Sequence, residues 1–346
     1  MKVEELLLWG GVVVVVGGLA YFYITKNGIP TLPGIGGGGN GAGGGTGNGG
    51  GGTTPSPGKP TYTFDYKFGS KGSGNGQFLD PHDVSFDKAG NVFIPDRGRS
   101  DVQVFTHDGK FIKKFGGPGK GPVQFNVPYS TAHDPNDNFY VSDRNNNRLQ
   151  KLTPAGAFIK QITTAGGKSL NRPEDLAFDF TNGDYYVTDT GNNRILKFDK
   201  ADKFLLQWGS KGNGNGKFDH PHSIDVGPDR NVYVACGPIV PIQKFDGTGK
   251  FIKQWGTEGN GQGQLRSFLE HMDIDQFGRL HIINNDIRPI VNVYDLNGNW
   301  LTQYGNVKKG SADGQFSEPE HVTCDSAGKP FVVDSGNFRI QVFKPS

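Results

Sequence analysis

Short apolar segments separated by glycine-containing turns recur along residues 61–346 of this 346-residue chain. In the first copy, four such segments run over Asp83–Phe86, Asn91–Ile94, Asp101–Phe105 and Lys110–Phe115. Their content of Val, Ile and Phe and the Asp-Gly or Gly-Asn turns between them are typical of β-strands. No stretch after residue 60 sustains a helical period of apolar positions, so the pattern predicts an all-β body.

The copies repeat at a regular spacing. Each one opens with a large apolar residue after a glycine loop, and successive openings lie 45 to 51 residues apart. These anchor residues are Phe78, Phe125, Leu170, Phe218, Leu265 and Phe316. A period of this length is that of a propeller blade rather than of a helical solenoid. Six copies therefore predict a six-bladed β-propeller.

The last copy lacks its outer strand. It supplies Glu320–Cys324, Pro330–Asp334 and Arg339–Phe343, and no fourth apolar segment follows them. At the other end of the repeats, Thr61–Gly69 has the pattern of the outer-strand segment Lys110–Gly116. We expect this first strand to complete the sixth blade, because a strand shared between the two ends closes the ring and removes exposed edges.

The repeated residues resemble a known family. The sequence GSGNGQF, a proline three residues later, then GNVF and Asn-x-Arg-Ile-x-x-Phe are similar to the NHL repeat. The resemblance covers residues 61–346 and implies a six-bladed β-propeller. Members of the family differ in function: some bind RNA or proteins, and others resemble zinc-dependent peptidyl-hydroxyglycine amidating lyases. The fold alone therefore does not select a function.

The first sixty residues differ from the repeats. After a short tail at residues 1–5, Leu6–Ile24 contains nineteen residues without a charge. This is close to the roughly 20 that cross a bilayer as a helix, so residues 6–24 are predicted to form one transmembrane helix. A cleaved signal peptide is the alternative, but Glu4 and Glu5 stand where a basic segment is expected.

Residues 25–60 form a segment rich in glycine and proline that predicts a flexible linker. Lysine residues near the predicted span are few, and their small bias favours a propeller outside the cytoplasm. The sequence thus predicts a single-pass membrane protein with an extracytoplasmic propeller.

The overall charge of the chain limits the classes of partner that the sequence predicts. The net charge is +2, from 36 Lys and Arg against 34 Asp and Glu. This balance argues against nucleic acid as a partner, because such proteins carry a concentrated basic face. The two cysteines, Cys236 and Cys324, fall in the fourth and sixth copies, so no disulfide is expected between them.

Functional residues are expected where the copies differ. Antiparallel strands bring the start of each inner strand and the loop after the second strand to one face of the ring. One aligned position at this face holds His82, Tyr129, Glu174, His222, Glu270 and Glu320. The next position holds Asp83, Ser130, Asp175, Ser223, His271 and His321. These polar side chains predict a face that binds a ligand or a protein.

The loops after the second strands add arginines to the same face. Arg97, Arg144 and Arg288 do not recur from copy to copy and are candidates for ligand contacts. Pairs such as Asp143 with Arg148 recur at a fixed offset, and recurrence indicates a structural brace instead.

Two histidine fragments carry a second resemblance. Asp-Pro-His-Asp-Val around His82 and His-Pro-His-Ser-Ile around His222 are similar to zinc-ligand segments of the amidating lyases. The resemblance implies zinc or calcium at His82, His222 and Asp83. However, His82 and His222 fall in opposite rather than alternate copies. His271 and His321 are offset by one residue, which turns a side chain to the other face of a regular strand.

Three functions follow from these observations. The first is a membrane-anchored module that binds an unidentified ligand or protein through its polar central face and needs no cofactor. The second is a metal-dependent lyase or hydrolase with Tyr129 or Glu174 as acid or base. The third, an RNA-binding propeller, requires a basic face and an affinity that depends on salt.

Overall fold

The computed structural model describes residues 59–236, 242–265, 269–285 and 288–346, together with the backbone of three short N-terminal strands. The chain divides into two compact units, Met1–Ser56 and Pro57–Ser346. The larger unit contains the repeats and all the side chains considered below.

The described part of the larger unit contains six antiparallel four-stranded sheets, one for each repeat. Blade 1 consists of Ser85–Phe86, Val92–Asp96, Asp101–Phe105 and Phe111–Gly116. Blade 2 consists of Pro128–His133, Phe139–Asp143, Arg148–Leu152 and Phe158–Ile162. Blade 3 consists of Pro173–Phe178, Tyr185–Asp189, Arg194–Phe198 and Phe204–Trp208. In blades 1 to 5 the strands lie side by side in chain order, and with the sixth sheet they confirm the predicted all-β six-bladed propeller.

The second half of the ring repeats this arrangement. Blade 4 consists of Pro221–Val226, Val232–Cys236, Ile242–Phe245 and Phe251–Trp255. Blade 5 consists of Leu269–Ile274, Arg279–Asn284, Ile290–Asp295 and Trp300–Gly305. Blade 6 consists of Pro319–Cys324, Pro330–Asp334, Arg339–Pro345 and Tyr62–Phe68. A two-stranded ribbon, Thr164–Ala165 with Lys168–Ser169, precedes blade 3, and short 3-10 helices cover Arg144–Asn146, Thr190–Asn192 and Ser335–Asn337.

The ring closes as predicted. Tyr62–Phe68 pairs antiparallel with Arg339–Pro345, with Phe68 opposite Ile340 and Tyr62 opposite Pro345. The outer strand of blade 6 therefore comes from the start of the repeats, and hydrogen bonds between the two ends of the propeller hold the ring together.

Apolar residues fill the spaces between neighbouring blades. All six anchor residues identified in the sequence are at most 2% exposed. At the closure, Phe78 belongs to a cluster with Val84 and Val92 of blade 1 and with Phe331 and Ile340 of blade 6. Burying an aromatic side chain of this kind contributes about 1.5–3 kcal/mol. The recurring anchors are thus explained by packing between blades.

The recurring Asp and Arg pairs are braces, as predicted. The arginine Nε lies 2.7 Å from the carboxylate in Arg148–Asp143 and 2.6 Å in Arg194–Asp189. The carboxylates also accept a backbone hydrogen bond from the residue that follows the anchor, as Asp143 does from Asn126 at 2.7 Å. Cys236 and Cys324 are both free thiols, so the expected lack of a disulfide between them is confirmed.

The predicted transmembrane helix is not confirmed. Within residues 6–24, the described backbone forms strands over Glu5–Leu8, Gly11–Val16 and Leu19–Phe22. Among the residues that the structure describes, no helix has the length and apolarity needed to cross a membrane. Gly11–Val16 contains five successive valines, and β-branched residues favour extended backbone. Nearly all of the predicted tail and linker lies outside the described residues.

Candidate functional site in the central channel

A bulge at the start of the inner strands determines which side chains reach the channel. The pairing of the first two strands shifts register between Pro173 and Leu176 in blade 3 and between Pro319 and His321 in blade 6. A bulge of this kind re-aims consecutive side chains. Consequently His321 lies in the same cavity as His82, and the expectation that His271 and His321 point to the other face is wrong.

Three rings of side chains line the channel, with one residue from each blade in each ring. The upper ring contains His82, Tyr129, Glu174, His222, Glu270 and Glu320. The middle ring contains Asp83, Ser130, Asp175, Ser223, His271 and His321. The lower ring contains Ser85, Ala132, Ala177, Asp225, Asp273 and Thr323. The upper and middle rings correspond to the two positions identified in the sequence.

Glu174 is the centre of one charged group in the upper ring. Its side chain is buried, and Oε1 accepts a hydrogen bond from Arg144 Nε at 2.6 Å. His222 Nδ1 lies 3.0 Å from Oε2. Burial lowers the pKa of His222, but the Glu174 carboxylate outweighs burial, and the pKa lies above its ordinary value. Glu174 is therefore held between the Arg144 guanidinium and the His222 imidazole.

Tyr129, in the blade next to that of Glu174, is the centre of a second group in the upper ring. His82 donates from Nδ1 to the Tyr129 carbonyl at 2.8 Å, and the two rings lie 3.8 Å apart. Arg97 and Arg144 lie over the Tyr129 ring at 5.7 and 5.2 Å. Burial, and then the charge of Arg97, lower the pKa of His82 well below its usual range. His82 is therefore neutral at physiological pH.

The upper ring leaves almost no free space. It contributes to a cavity of only about 10 Å³, which the remaining carboxylates Glu270 and Glu320 also line. Burial, and next the Glu270 charge, raise the pKa of Glu320 to about 7. Arg97 is bound by Asp80 through two hydrogen bonds of 2.9 Å. Arg288 lines none of the cavities described here, so the structure does not bring it to this group.

The middle ring pairs two carboxylates with two stacked imidazoles. Asp83 contacts His321 Nε2, and Asp175 Oδ2 lies 3.3 Å from His271 Nε2. The two imidazole rings are 3.2 Å apart at an angle of 28°. Asp175 also accepts a hydrogen bond from the Ser223 hydroxyl at 3.0 Å. Burial opposes the charged state of both partners, but their attraction prevails, raising the pKa of His271 and lowering that of Asp175.

Part of the middle ring is suited to a metal ion. One nitrogen each of His271 and His321 and one oxygen of Asp175 lie within 4.8 Å of one another. Zinc takes this combination of nitrogen and oxygen ligands. In the described part of the chain, neither metal-capable group of three includes His82 or His222. Zinc or calcium at His82, His222 and Asp83 stays a prediction.

A larger cavity, here called the lower chamber, lies between the middle ring and the turns at the other face. Its volume is about 470 Å³, and all six residues of the lower ring line it. Phe86, Phe178 and Phe180 provide aromatic walls. Phe180 is 70% exposed, so the chamber meets solvent at this residue. The inner end of the chamber is formed by Ser130, Asp175, His271 and His321 of the middle ring, which also line the small upper cavity.

Two carboxylates of the lower ring lie in the chamber. Asp225 accepts from the backbone amide of Ile274 at 2.6 Å, and Asp273 accepts from that of Cys324 at 3.0 Å. Burial raises the pKa of Asp273 to about 7. Burial and then the Asp273 charge raise the pKa of Asp225 well above its ordinary value. Asp175 and Asp325 bring the aspartates to four, and no Lys or Arg occurs among the described lining residues.

One repeat of the chain matches a known family. Residues 170–198, which run from the anchor Leu170 to the end of the third strand of blade 3, match the NHL repeat family. The chain contains an NHL repeat. No curated protein sequence matches the chain.

Solved structures resemble the propeller at low sequence identity. A protein of unknown function from Bacteroides thetaiotaomicron is 15% identical with a TM-score of 0.65, covering 98% of this chain and 83% of its own. Virginiamycin B lyase from Staphylococcus aureus is 14% identical with a TM-score of 0.58, covering 83% and 88%. A gluconolactonase from Xanthomonas campestris is 15% identical with a TM-score of 0.60, covering 79% and 88%. At these identities the similarity establishes the fold alone.

The two positions aligned in the sequence do not include the two carboxylates of the lower ring. Asp225 and Asp273 stand two residues after Ser223 and His271, which the sequence had identified. Side chains two apart on a strand share a face, so a period of two from the middle ring would have found them. The twelve predicted positions of the upper and middle rings lie along the channel, where some of their side chains pair with each other, as Glu174 does with His222 and Asp175 with His271.

Proposed function

We propose that this propeller binds a small cationic ligand in the lower chamber. The observation that carries the proposal is a cavity of about 470 Å³ with four aspartates and no described Lys or Arg in its lining. A volume of this size is within the range of small-molecule sites. The upper ring is filled by its own side chains, so the ligand enters from the opposite face, past Phe180.

The chemistry of the walls supports a cation. Aromatic faces such as those of Phe86, Phe178 and Phe180 attract a positive charge through the ring quadrupole. Asp225 and Asp273 are half-buried carboxylates that repel each other, and a ligand ammonium placed between them would relieve this repulsion. An anionic ligand would find no Lys or Arg among the described lining residues to pair with.

The proposal is tested by saturation-transfer NMR with two small probes of similar size and opposite charge, butylammonium and butyrate. We expect saturation transfer to butylammonium and none to butyrate. The Asp225→Asn and Asp273→Asn exchanges together should abolish the butylammonium signal. Asp313→Asn, at a carboxylate that is 52% exposed and far from the chamber lining, should retain it. Equal signals from both probes would contradict the proposal.

A metal-dependent lyase or hydrolase is a second candidate, favoured by the grouping of Asp175, His271 and His321. A zinc ion held by them would act as a Lewis acid or activate water at the inner end of the chamber. Tyr129 and Glu174 stay predictions for the acid and base. Elemental analysis of the full chain, purified without a metal-binding tag, should find one metal ion per chain fewer in His271→Ala than in the wild type. An unchanged metal content in His271→Ala, or a loss of metal in His82→Ala and His222→Ala, would contradict this assignment.

Residues 6–24 are also proposed to anchor the protein in a membrane with the propeller outside the cytoplasm. The support is the run of nineteen uncharged residues. The full chain should stay with membranes after alkaline extraction, and Val14→Lys should release it, because a charge at the centre of a span costs about 2.5–3.5 kcal/mol. Recovery of the wild-type chain in the supernatant would contradict the anchor.

A further inference from the structure

A second group of metal-capable side chains lies between blades 5 and 6, outside the axis of the channel. It consists of Asp275, which follows the inner strand of blade 5, His281 of the next strand, and Cys324 at the end of the inner strand of blade 6. One donor atom from each lies within 4.8 Å of the other two. His281 is fully buried and Asp275 is 3% exposed.

The imidazole of His281 is oriented as a metal ligand would be. Nδ1 lies 3.1 Å from the Tyr304 hydroxyl, to which it donates when the proton is on Nδ1. In that tautomer Nε2 carries a lone pair, which faces Asp275 Oδ2 at 3.6 Å and the Tyr62 hydroxyl at 3.4 Å. Metal-bound histidines nearly always use their other nitrogen in this way.

Hydrogen bonds hold Asp275 in a fixed position. Its Oδ1 accepts from the backbone amides of Phe277 and Arg279, both at 2.9 Å. Its Oδ2 accepts from Arg279 Nε at 2.5 Å. The guanidinium offsets part of the negative charge that a carboxylate and a thiolate bring together, and Oδ2 keeps a lone pair toward His281.

The distances suit a tetrahedral zinc ion. For zinc bonds of about 2.0–2.3 Å, neighbouring ligand atoms in a tetrahedron lie roughly 3.3–3.6 Å apart. The pair of His281 Nε2 and Asp275 Oδ2 already has this spacing at 3.6 Å. The remaining separations, at most 4.8 Å, require a contraction of about 1 Å. Cys324 also lines the lower chamber, so a fourth position would face that cavity.

We propose that Asp275, His281 and Cys324 bind one zinc ion whose fourth coordination position opens toward the lower chamber. A thiolate, an imidazole and a carboxylate are all ligands that zinc accepts, and three protein ligands with one open position are typical of sites that also bind a small molecule. The middle ring contains no thiol, so the two candidate metal sites differ in ligand type. The assignment does not depend on the cationic ligand proposed above.

Cobalt(II) substitution tests the proposal directly. The full chain is stripped with a chelator and titrated with Co²⁺, and the thiolate-to-cobalt charge-transfer band in the near ultraviolet is recorded. We expect this band at one equivalent, displaced by zinc. Cys324→Ser should lose it, whereas Cys236→Ser should keep it, because Cys236 is the other free cysteine and belongs to neither group. His271→Ala should also keep it.

A second variant separates metal binding from folding. Tyr304→Phe removes only the hydroxyl that accepts from His281, and loss of such a partner typically weakens metal binding 10- to 100-fold. The band should therefore persist in Tyr304→Phe but require more Co²⁺. A chain that binds Co²⁺ without a thiolate band, or a band that survives Cys324→Ser, would overturn the proposal. Either result would leave the butylammonium experiment unaffected.

Discussion

The upper ring and the lower chamber are built from the same six strands but use their polar residues differently. In the upper ring, Glu174 contacts Arg144 and His222, and His82 bonds to the Tyr129 carbonyl. Only about 10 Å³ remains free. In the lower chamber, small side chains such as Ala132 and Ala177 leave about 470 Å³. Its described lining residues include four aspartates and no Lys or Arg.

This difference indicates that the upper ring stabilises the fold, whereas the lower chamber has the capacity to bind a ligand. A charged group whose partners come from the protein itself holds the blades together, and removal of one partner leaves the others buried and unpaired. Carboxylates brought together without cations instead store repulsion that a ligand can relieve. A row of polar residues along a propeller channel therefore does not by itself mark the binding face.

The largest expected effect tests the stabilising role of the upper ring. Glu174→Ala leaves Arg144 and His222 without their shared carboxylate, so the free energy of unfolding should fall by about 3–5 kcal/mol. Urea denaturation measures this loss. Glu318→Ala, at a carboxylate that is 57% exposed, should change stability by no more than about 0.5 kcal/mol. A loss below about 1 kcal/mol for Glu174→Ala would show that the group is not a brace.

The second prediction concerns pH and the lower chamber. Burial raises the pKa of Asp273 to about 7, above the value of an unfolded aspartate. The folded state therefore binds this proton more tightly than the unfolded state does. Proton binding at Asp273 thus stabilises the folded state at low pH, and this stabilisation is lost as pH rises from about 4 through 7. The contribution of Asp273 to the free energy of unfolding should fall by on the order of 1–4 kcal/mol over that range.

Asp273→Asn isolates this contribution. The variant cannot ionise at residue 273, so its stability should decline less with rising pH than that of the wild-type chain. Denaturation midpoints between pH 4 and pH 8 compare the two. Parallel pH profiles would mean that the Asp273 carboxyl is not desolvated in the folded protein.

The smallest expected effect concerns the chamber entrance. Phe180→Ser removes an exposed aromatic face, and an exposed cation–π contact contributes about 0.5–1 kcal/mol. The affinity for butylammonium should fall about two- to fivefold, with stability unchanged. Phe277→Ser is the matched control, because Phe277 is 62% exposed in the corresponding turn of blade 5 but does not line the chamber. Equal losses in both variants would place the ligand elsewhere.

The repeat made most of the fold predictable. Six anchor residues at nearly equal spacing gave the number of blades, and the missing last strand pointed to Thr61–Gly69 as its replacement. The recurring Asp and Arg pairs identified the braces for the same reason. These features were predictable because the repeated pattern and the missing last strand can both be seen in the sequence.

The site was only partly predictable. Aligned positions found the upper and middle rings, but the bulge that brings His271 and His321 into the channel depends on strand pairing, not on residue type. Contacts such as Asp175 with His271 join blades 3 and 5 across the channel, and their distance follows from the curvature of the whole ring. The grouping of Asp275, His281 and Cys324 likewise forms only when two blades pack together.

The most direct test of the account compares the reactivity of cysteines at the two ends of the channel. In a Cys236→Ser and Cys324→Ser background, Ala132→Cys reports on the lower chamber, Glu270→Cys on the upper ring, and Ser73→Cys on an exposed surface. Each is treated with aminoethyl and sulfonatoethyl methanethiosulfonate, which differ in charge but little in size. With rates expressed relative to that of Ser73→Cys, the account predicts that Ala132→Cys is labelled faster than Glu270→Cys. It also predicts that the ammonium reagent labels Ala132→Cys faster than the sulfonate reagent does. Faster labelling of Glu270→Cys, or a preference for the sulfonate at Ala132→Cys, would contradict it.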